Sequence, residues 1–231
     1  MVGPERYGER VSDRQTESPT TPAERPTLIL LVRHGLTPTT GKVLPGRAPG
    51  LHLSEKGLAQ AERLAERFQG LSVDALYTSP LERTRETAEP IEKATGLTAE
   101  AQTDLLECDF GEWTGEKLTH LAKLPEWNAV QQAPSTFRFP DGESFAEMQY
   151  RMVEGIQRLR DRHPGQTVVC FSHADPIKVL LNHALGSHLD HFQRISVDPC
   201  SVSAISYMPQ RAPSVLRMNT TDGFLADLLE D

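Results

Sequence analysis

Large apolar residues gather in two short runs, each followed within two residues by a histidine. Thr27-Leu28-Ile29-Leu30-Leu31-Val32 leads into Arg33-His34-Gly35, and Thr167-Val168-Val169-Cys170-Phe171-Ser172 leads into His173. Runs of this length, rich in β-branched and large apolar side chains, predict buried strands. A third run, Val73 to Thr78, precedes Ser79-Pro80, which has the form of an N-cap and a first helical residue. Between the strands the period becomes helical. From Ser54, a candidate N-cap, to about Gln69, the residues Leu58, Ala61, Leu64, Ala65 and Phe68 form one apolar stripe. A second helix carries Arg83, Thr84, Arg85 and Thr87 and stops near Gly96. Ser144 to about Arg162 puts Phe145, Met148, Met152, Ile156 and Leu159 on one face, and a further helix after His173 runs through Ile177, Val179, Leu180 and Leu181. Ser201 to Tyr207 and Ser214 to Asn219 are expected as edge strands.

Helices lying between strands imply crossovers. The expected fold is therefore α/β, a three-layer α/β/α sandwich with a mostly parallel sheet. Thr37 to Leu51 is a Gly- and Pro-rich loop, and a second loop holds Glu107, Trp113 and Gly115. Residues 116 to 140 predict short helices and irregular chain, a cap over the site, and Pro140 to Glu143 a turn. Residues 1–26, rich in Pro, Thr, Glu and Arg, predict a disordered tail. One domain is expected over 27–231.

Composition narrows the partners. The chain has 231 residues, 38% hydrophobic and 24% charged, with a net charge of −8. That balance argues against a broad nucleic-acid-binding face but leaves room for a small cationic pocket. No apolar run approaches the roughly 20 residues that span a bilayer. The first ten residues lack the apolar core of a signal peptide, so a cytoplasmic protein is expected. The 3 cysteines, Cys108, Cys170 and Cys200, are widely spaced, which fits neither a disulfide framework nor a CxxC zinc pattern. His183, His188 and His191 fall on different helical faces or in a loop, so no metal site with His173 is expected.

In an open α/β sheet, ligands bind beyond the carboxyl ends of the strands. Two histidines and an arginine delivered there make a candidate phosphate-ester site. A phosphomonoester needs fixed cations on its oxygens, an in-line nucleophile and a proton for the leaving alkoxide. Arg33 and Arg83 can grip phosphate oxygens in bidentate fashion. His34 can attack phosphorus as a neutral imidazole, and His173 can donate to the oxyanion. Glu107 can protonate the leaving group and then accept a proton from the hydrolytic water. Asp109 and Glu112 are nearby alternatives for the acid.

Leu31-Val32-Arg33-His34-Gly35-Leu36-Thr37 resembles the signature of the histidine phosphatase superfamily, in its phosphoglycerate mutase-like branch. Four further segments match in order: Leu53 to Gly57 with Gln60-Ala61, Thr78 to Ala88, Leu105 to Gly115, and Ser172-His173-Ala174. The resemblance implies a phosphoglycerate mutase-like fold, a phosphohistidine formed on His34, a phosphate pocket completed by Arg33, Arg83 and His173, and Glu107 as proton donor. It implies no metal and no cofactor. Thr37, Thr40 and Ala174 are expected beside the phosphate. Leu36, Thr40 and Ala174 replace residues more usual in the family: Glu or Gln, Asn, and Gly. Thr40 lacks the two donors of an amide, whereas a helix starting at Ala174 can still offer backbone N–H groups.

The family holds both phosphatases and mutases. The compact stretch from Glu107 to His173 favours water access and hydrolysis over mutase-type phosphoryl transfer or a non-catalytic phosphate-binding module. The expected partner is a small phosphorylated metabolite, with no nucleic acid and no membrane. The oligomeric state is left open, a homodimer included. Leu36, Lys42, Arg47, Cys108, Phe110, Trp113, Arg138 and Phe139 are candidates for the mouth. Among them Lys42, Arg47 and Arg138 are expected on a second anionic group, and Trp113 and Phe139 on a sugar or ring. Cys108 is expected to be a passive neighbour of the acid.

Overall fold

A computed structural model describes residues 25–229. Up to residue 24, the tail expected over 1–26 lies outside the described residues. The elements run β1 (Thr27–Arg33), α1 (Glu55–Glu66), β2 (Ala75–Thr78), α2 (Glu82–Thr95), β3 (Glu100–Ala101), α3 (Leu118–Leu121), α4 (Trp127–Gln132), α5 (Phe145–Arg162), β4 (Thr167–Ser172), α6 (Ala174–Ala184), β5 (Val202–Tyr207), β6 (Ser214–Thr220) and α7 (Leu225–Leu229). The 6 strands form one sheet in the order β3-β2-β4-β1-β5-β6. β1 to β4 are mutually parallel, while β5 runs antiparallel to both β1 and β6.

Alternation along the central strands assigns each side chain to a layer. Leu30 and Val32 of β1 point to one face, where they pack with Ala61 and Leu64 of α1 and Ala88 and Ile91 of α2. Ile29 and Leu31 point to the other, against Met152 and Ile156 of α5 and Ile177 and Leu181 of α6. Strands covered on both faces read as continuous apolar runs, which is why β1 and β4 stand out in the sequence. A third cluster joins Phe110, Trp113, Leu121, Val130 and Phe139 to Phe145 and Met148 of α5, forming the expected cap.

Several expectations need correction. β5 is not an edge strand, since it lies between β1 and β6. Its serines mimic a half-exposed alternation, yet Ser201, Ser203 and Ser206 are all buried. α1 stops at Glu66, and Leu58, expected in its stripe, is 49% exposed. Ser79-Pro80 does not start a helix. α2 begins at Glu82, because the Thr84 hydroxyl donates back to the carbonyls of Ser79 and Leu81 and shapes a longer entry turn. β2 begins at Ala75 rather than Val73, and the two-residue β3 carries no sequence signal.

Candidate active site

β1 and β4 are paired in parallel with Arg33 opposite Ser172, so the residues that follow both strands emerge side by side. The His34 N–H donates to the Ser172 carbonyl at 3.0 Å. The two imidazoles meet at the sheet edge with ring centroids 5.3 Å apart and planes at 60°. Both are buried.

His34 Nδ1 lies 2.7 Å from the carbonyl of Gly35. A carbonyl can only accept, so Nδ1 carries the proton and Nε2 presents a lone pair. Burial, then the charges of Arg83 and Arg33, push the His34 pKa down to about 3. The ring is therefore neutral at physiological pH. Burial and then Arg83 also hold His173 well below the usual histidine range. His173 Nε2 is 2.9 Å from Ser79 Oγ, and its Nδ1 has no partner among the described residues. In the tautomer in which the serine hydroxyl donates to Nε2, the free Nδ1 is an N–H donor.

Arg83 is fully buried, and its Nη2 donates to the Gly46 carbonyl at 2.9 Å. Its Nε and Nη1 have no partner among the described residues. Arg33 donates from Nη1 to the Val197 carbonyl at 2.7 Å, and its Nε is likewise without a partner among the described residues. Burial lowers both guanidinium pKa values, with Glu107 opposing, but an arginine stays charged. Buried donors without acceptors are costly and uncommon in folded proteins. Four of them around the neutral His34 imidazole can form a cradle for an anion.

Glu107 is buried, and its Oε1 accepts from the Cys108 N–H at 2.9 Å. Burial and then the neighbouring Asp175 carboxylate push its pKa up to about 7, against the pull of Arg83 and Arg33. The carboxyl is thus a proton donor poised near neutrality. Asp109 instead accepts from the Gly111 N–H, and Glu112 is exposed, so neither alternative acid faces the site.

A cleft of about 410 Å³ opens over this group, lined by Arg33, His34, Thr37, Thr40, Glu107 and Ala174 among others. Thr40 Oγ1 accepts from the Thr37 N–H at 2.9 Å and lies 2.9 Å from the Thr37 hydroxyl, which fixes the turn after Gly35. α6 starts at Ala174 with no side-chain cap, so its first-turn N–H groups remain available to an anion. All eight residues expected at the catalytic or phosphate-binding positions are thus brought to one place.

The mouth differs from expectation. Leu36, Lys42, Arg47, Cys108, Trp113, Arg138 and Phe139 do not line the cleft, and only Phe110 of that group does. Trp113 and Phe139 pack edge to face in the cap core, 5.4 Å between centroids. Arg138 pairs with Glu147 at the surface, and Arg47 turns inward to Glu143. Lys42 is exposed, and Leu36 packs its backbone against Gly57. Cys108 is buried, and its thiol is pushed up by that burial and by Glu143, so it stays protonated. The polar side of the mouth is built instead from Asp175, Lys178, Gln193 and Asp198. Lys178 Nζ lies 3.3 Å from both Asp175 Oδ1 and Gln193 Oε1. Sequence reasoning missed these four and Ser79. The one available signal was the position of Asp175 and Lys178 in the first turns after His173.

The sequence profile of the histidine phosphatase superfamily (branch 1) matches residues 29–221. Phosphoserine phosphatase 1 of Hydrogenobacter thermophilus is 33% identical over 198 residues, covering 84% of this chain and 92% of that protein. The bifunctional protein Rv2228c of Mycobacterium tuberculosis is 33% identical over 219 residues, covering 91% of this chain and 59% of its own length. This chain thus spans about three-fifths of that relative. Among solved structures, Bacillus stearothermophilus YhfR superposes with a TM-score of 0.76 at 28% identity, over 82% of this chain and 95% of that one.

Proposed function

This chain belongs to the histidine phosphatase superfamily, and on that premise we propose that it hydrolyses a small phosphomonoester through a phosphohistidine on His34. The observation that carries this reading is the set of partnerless donors beside His34: Arg33 Nε, Arg83 Nε and Nη1, and His173 Nδ1. They match the oxygens of a phosphoryl group, and the Nε2 lone pair of His34 is the nucleophile they surround.

In the first step Nε2 of His34 bonds to phosphorus and the phosphorus–ester oxygen bond breaks. The carboxyl of Glu107 gives its proton to the leaving alkoxide. The arginines and His173 hold the charge on the transferring oxygens. In the second step water attacks phosphorus and passes a proton to the Glu107 carboxylate. The phosphorus–nitrogen bond breaks, phosphate leaves, and both residues return to their starting states. Each residue is used in the protonation state that its surroundings favour near neutral pH.

The assay is phosphate release from a panel of phosphomonoesters in chelator, comparing wild type with His34→Ala. Phosphoserine, named for the Hydrogenobacter relative, is the first ester to include. Chelator-resistant release that drops ~10⁴-fold or more in the variant is expected, the scale on which losing a nucleophile acts. Faster isomerisation of 3-phosphoglycerate than release from any ester would replace hydrolysis with mutase-type transfer.

A further inference from the structure

Glu107 lies in residues 106–110, which form neither helix nor strand. An acid must nevertheless be placed to within a fraction of an ångström of the leaving oxygen. Its main chain is braced from outside by two arginines. The Glu107 carbonyl accepts from Arg47 Nε at 2.8 Å and from Arg151 Nη2 at 3.1 Å. Arg151 Nη1 also holds the Asp104 carbonyl at 2.8 Å, three residues upstream.

Both arginines are joined through one carboxylate. Glu143 Oε2 accepts from Arg47 Nη2 at 3.1 Å and from Arg151 Nη2 at 3.0 Å, while Oε1 accepts from Arg151 Nε at 2.6 Å. The Asp109 N–H adds a longer contact to Oε2 at 3.3 Å, and the Glu143 N–H donates to the Asp109 carbonyl at 2.8 Å. The Glu143 side chain is only 12% exposed. These are charge-assisted bonds in a partly buried setting, the kind that hold geometry well.

The brace reaches the phosphate cradle through one peptide. Gly46 precedes Arg47, and its carbonyl accepts from Arg83 Nη2. Gly46 has φ +53°, and a Cβ there would sit 2.9 Å from Thr114 Oγ1 and 3.2 Å from the Phe110 ring. Glycine is what lets this loop pass so close to the acid loop.

We propose that Arg47, Arg151 and Glu143 are positioning residues for the acid. This rests on the reading of Glu107 as proton donor given above. None of the three need touch the substrate. Their effect runs through the place of the Glu107 carboxyl relative to the leaving oxygen.

Leaving-group basicity separates this role from general damage. An alkyl phosphate needs the acid, because a free alkoxide is a poor leaving group. A p-nitrophenyl phosphate does not, since p-nitrophenolate leaves unaided. The experiment measures kcat/KM, which reports the first half-reaction, for both esters in wild type, Glu107→Gln, Glu143→Gln, Arg47→Lys and the double variants with Glu107→Gln. Circular dichroism and melting confirm that each is folded. Arg47→Lys keeps the charge but loses the fork, and it carries the test if Glu143→Gln fails to fold.

Glu143→Gln and Arg47→Lys are expected to lose at least ~30-fold on the alkyl ester and under ~3-fold on the aryl ester. Placed in Glu107→Gln they should cost nothing further on the alkyl ester, the signature of residues that act through one group. Equal losses on both esters, no loss on either, or losses that add to those of Glu107→Gln would overturn the proposal. Failure of the underlying reading looks different. In that case Glu107→Gln itself shows no preference between the two esters.

Discussion

At the residue scale, burial sorts two titratable groups into complementary forms. His34 is held neutral with a pKa of about 3, and Glu107 is held protonated up to about 7. The proposed first half-reaction needs neutral His34 and protonated Glu107. For an alkyl phosphate, kcat/KM should therefore fall tenfold per pH unit above about 7. That limb should vanish in Glu107→Gln, whose remaining activity should be ~10²- to 10⁴-fold lower. A limb retained in the variant would assign the titration to another group. The places of Arg33, His34, Arg83 and His173 were legible because each lies in a short motif at a strand or helix end, and that of Glu107 because it lies in the loop motif Leu105 to Gly115. Ser79 was not. Its place before Pro80 imitates a helix cap, whereas its hydroxyl lies 2.9 Å from His173 Nε2. The second-anion role expected of Arg47 and Arg138 also failed. Charge is visible in a sequence, but the partner that consumes it is not.

At the element scale, the central strands followed from continuous apolar runs, and α5 and α6 from their apolar stripes. α5 is capped by Ser144 with a full capping box to Glu147, and α2 passes through Pro90 and is closed by Gly96 in the left-handed conformation. Where the pattern was short or diluted by small polar residues, it misled. The buried serines of β5 suggested an edge, and the two residues of β3 gave no period at all. α1 offers a direct check on its corrected stripe. Leu64 is buried against the sheet and Leu58 is half exposed. Leu64→Ala should cost ~2–5 kcal/mol in urea unfolding, while Leu58→Gln should stay within ~0.5 kcal/mol. A large loss at Leu58 would mean that its face is covered in solution.

At the scale of the whole molecule, the site is held at a cost in stability that depends on pH. The Glu107 pKa is raised on folding from an ordinary 4.5 to about 7. The unfolded chain thus releases this proton first, and the stability present below about pH 4.5 is lost as pH rises to about 7. Glu107→Gln should melt higher than wild type at pH 8 and close to it at pH 4. A lower melting temperature at pH 8 would show that the carboxylate is stabilised in the fold. His34 works in the opposite direction. Its pKa falls from 6.5 to about 3 on folding, so its contribution is lost as pH drops through that interval. The parallel pairing of β1 with β4 makes the arrangement possible, because it brings residues far apart in the chain to one sheet edge.

The covalent intermediate is the most direct test of the proposed chemistry. Wild-type protein would be mixed with an alkyl phosphomonoester, quenched in alkali during turnover, digested and examined by mass spectrometry. An acid-labile phosphate on the peptide containing His34, absent from His34→Ala, is the expected result. Phosphate release with no label on His34, or release that persists in His34→Ala, would contradict the phosphohistidine route.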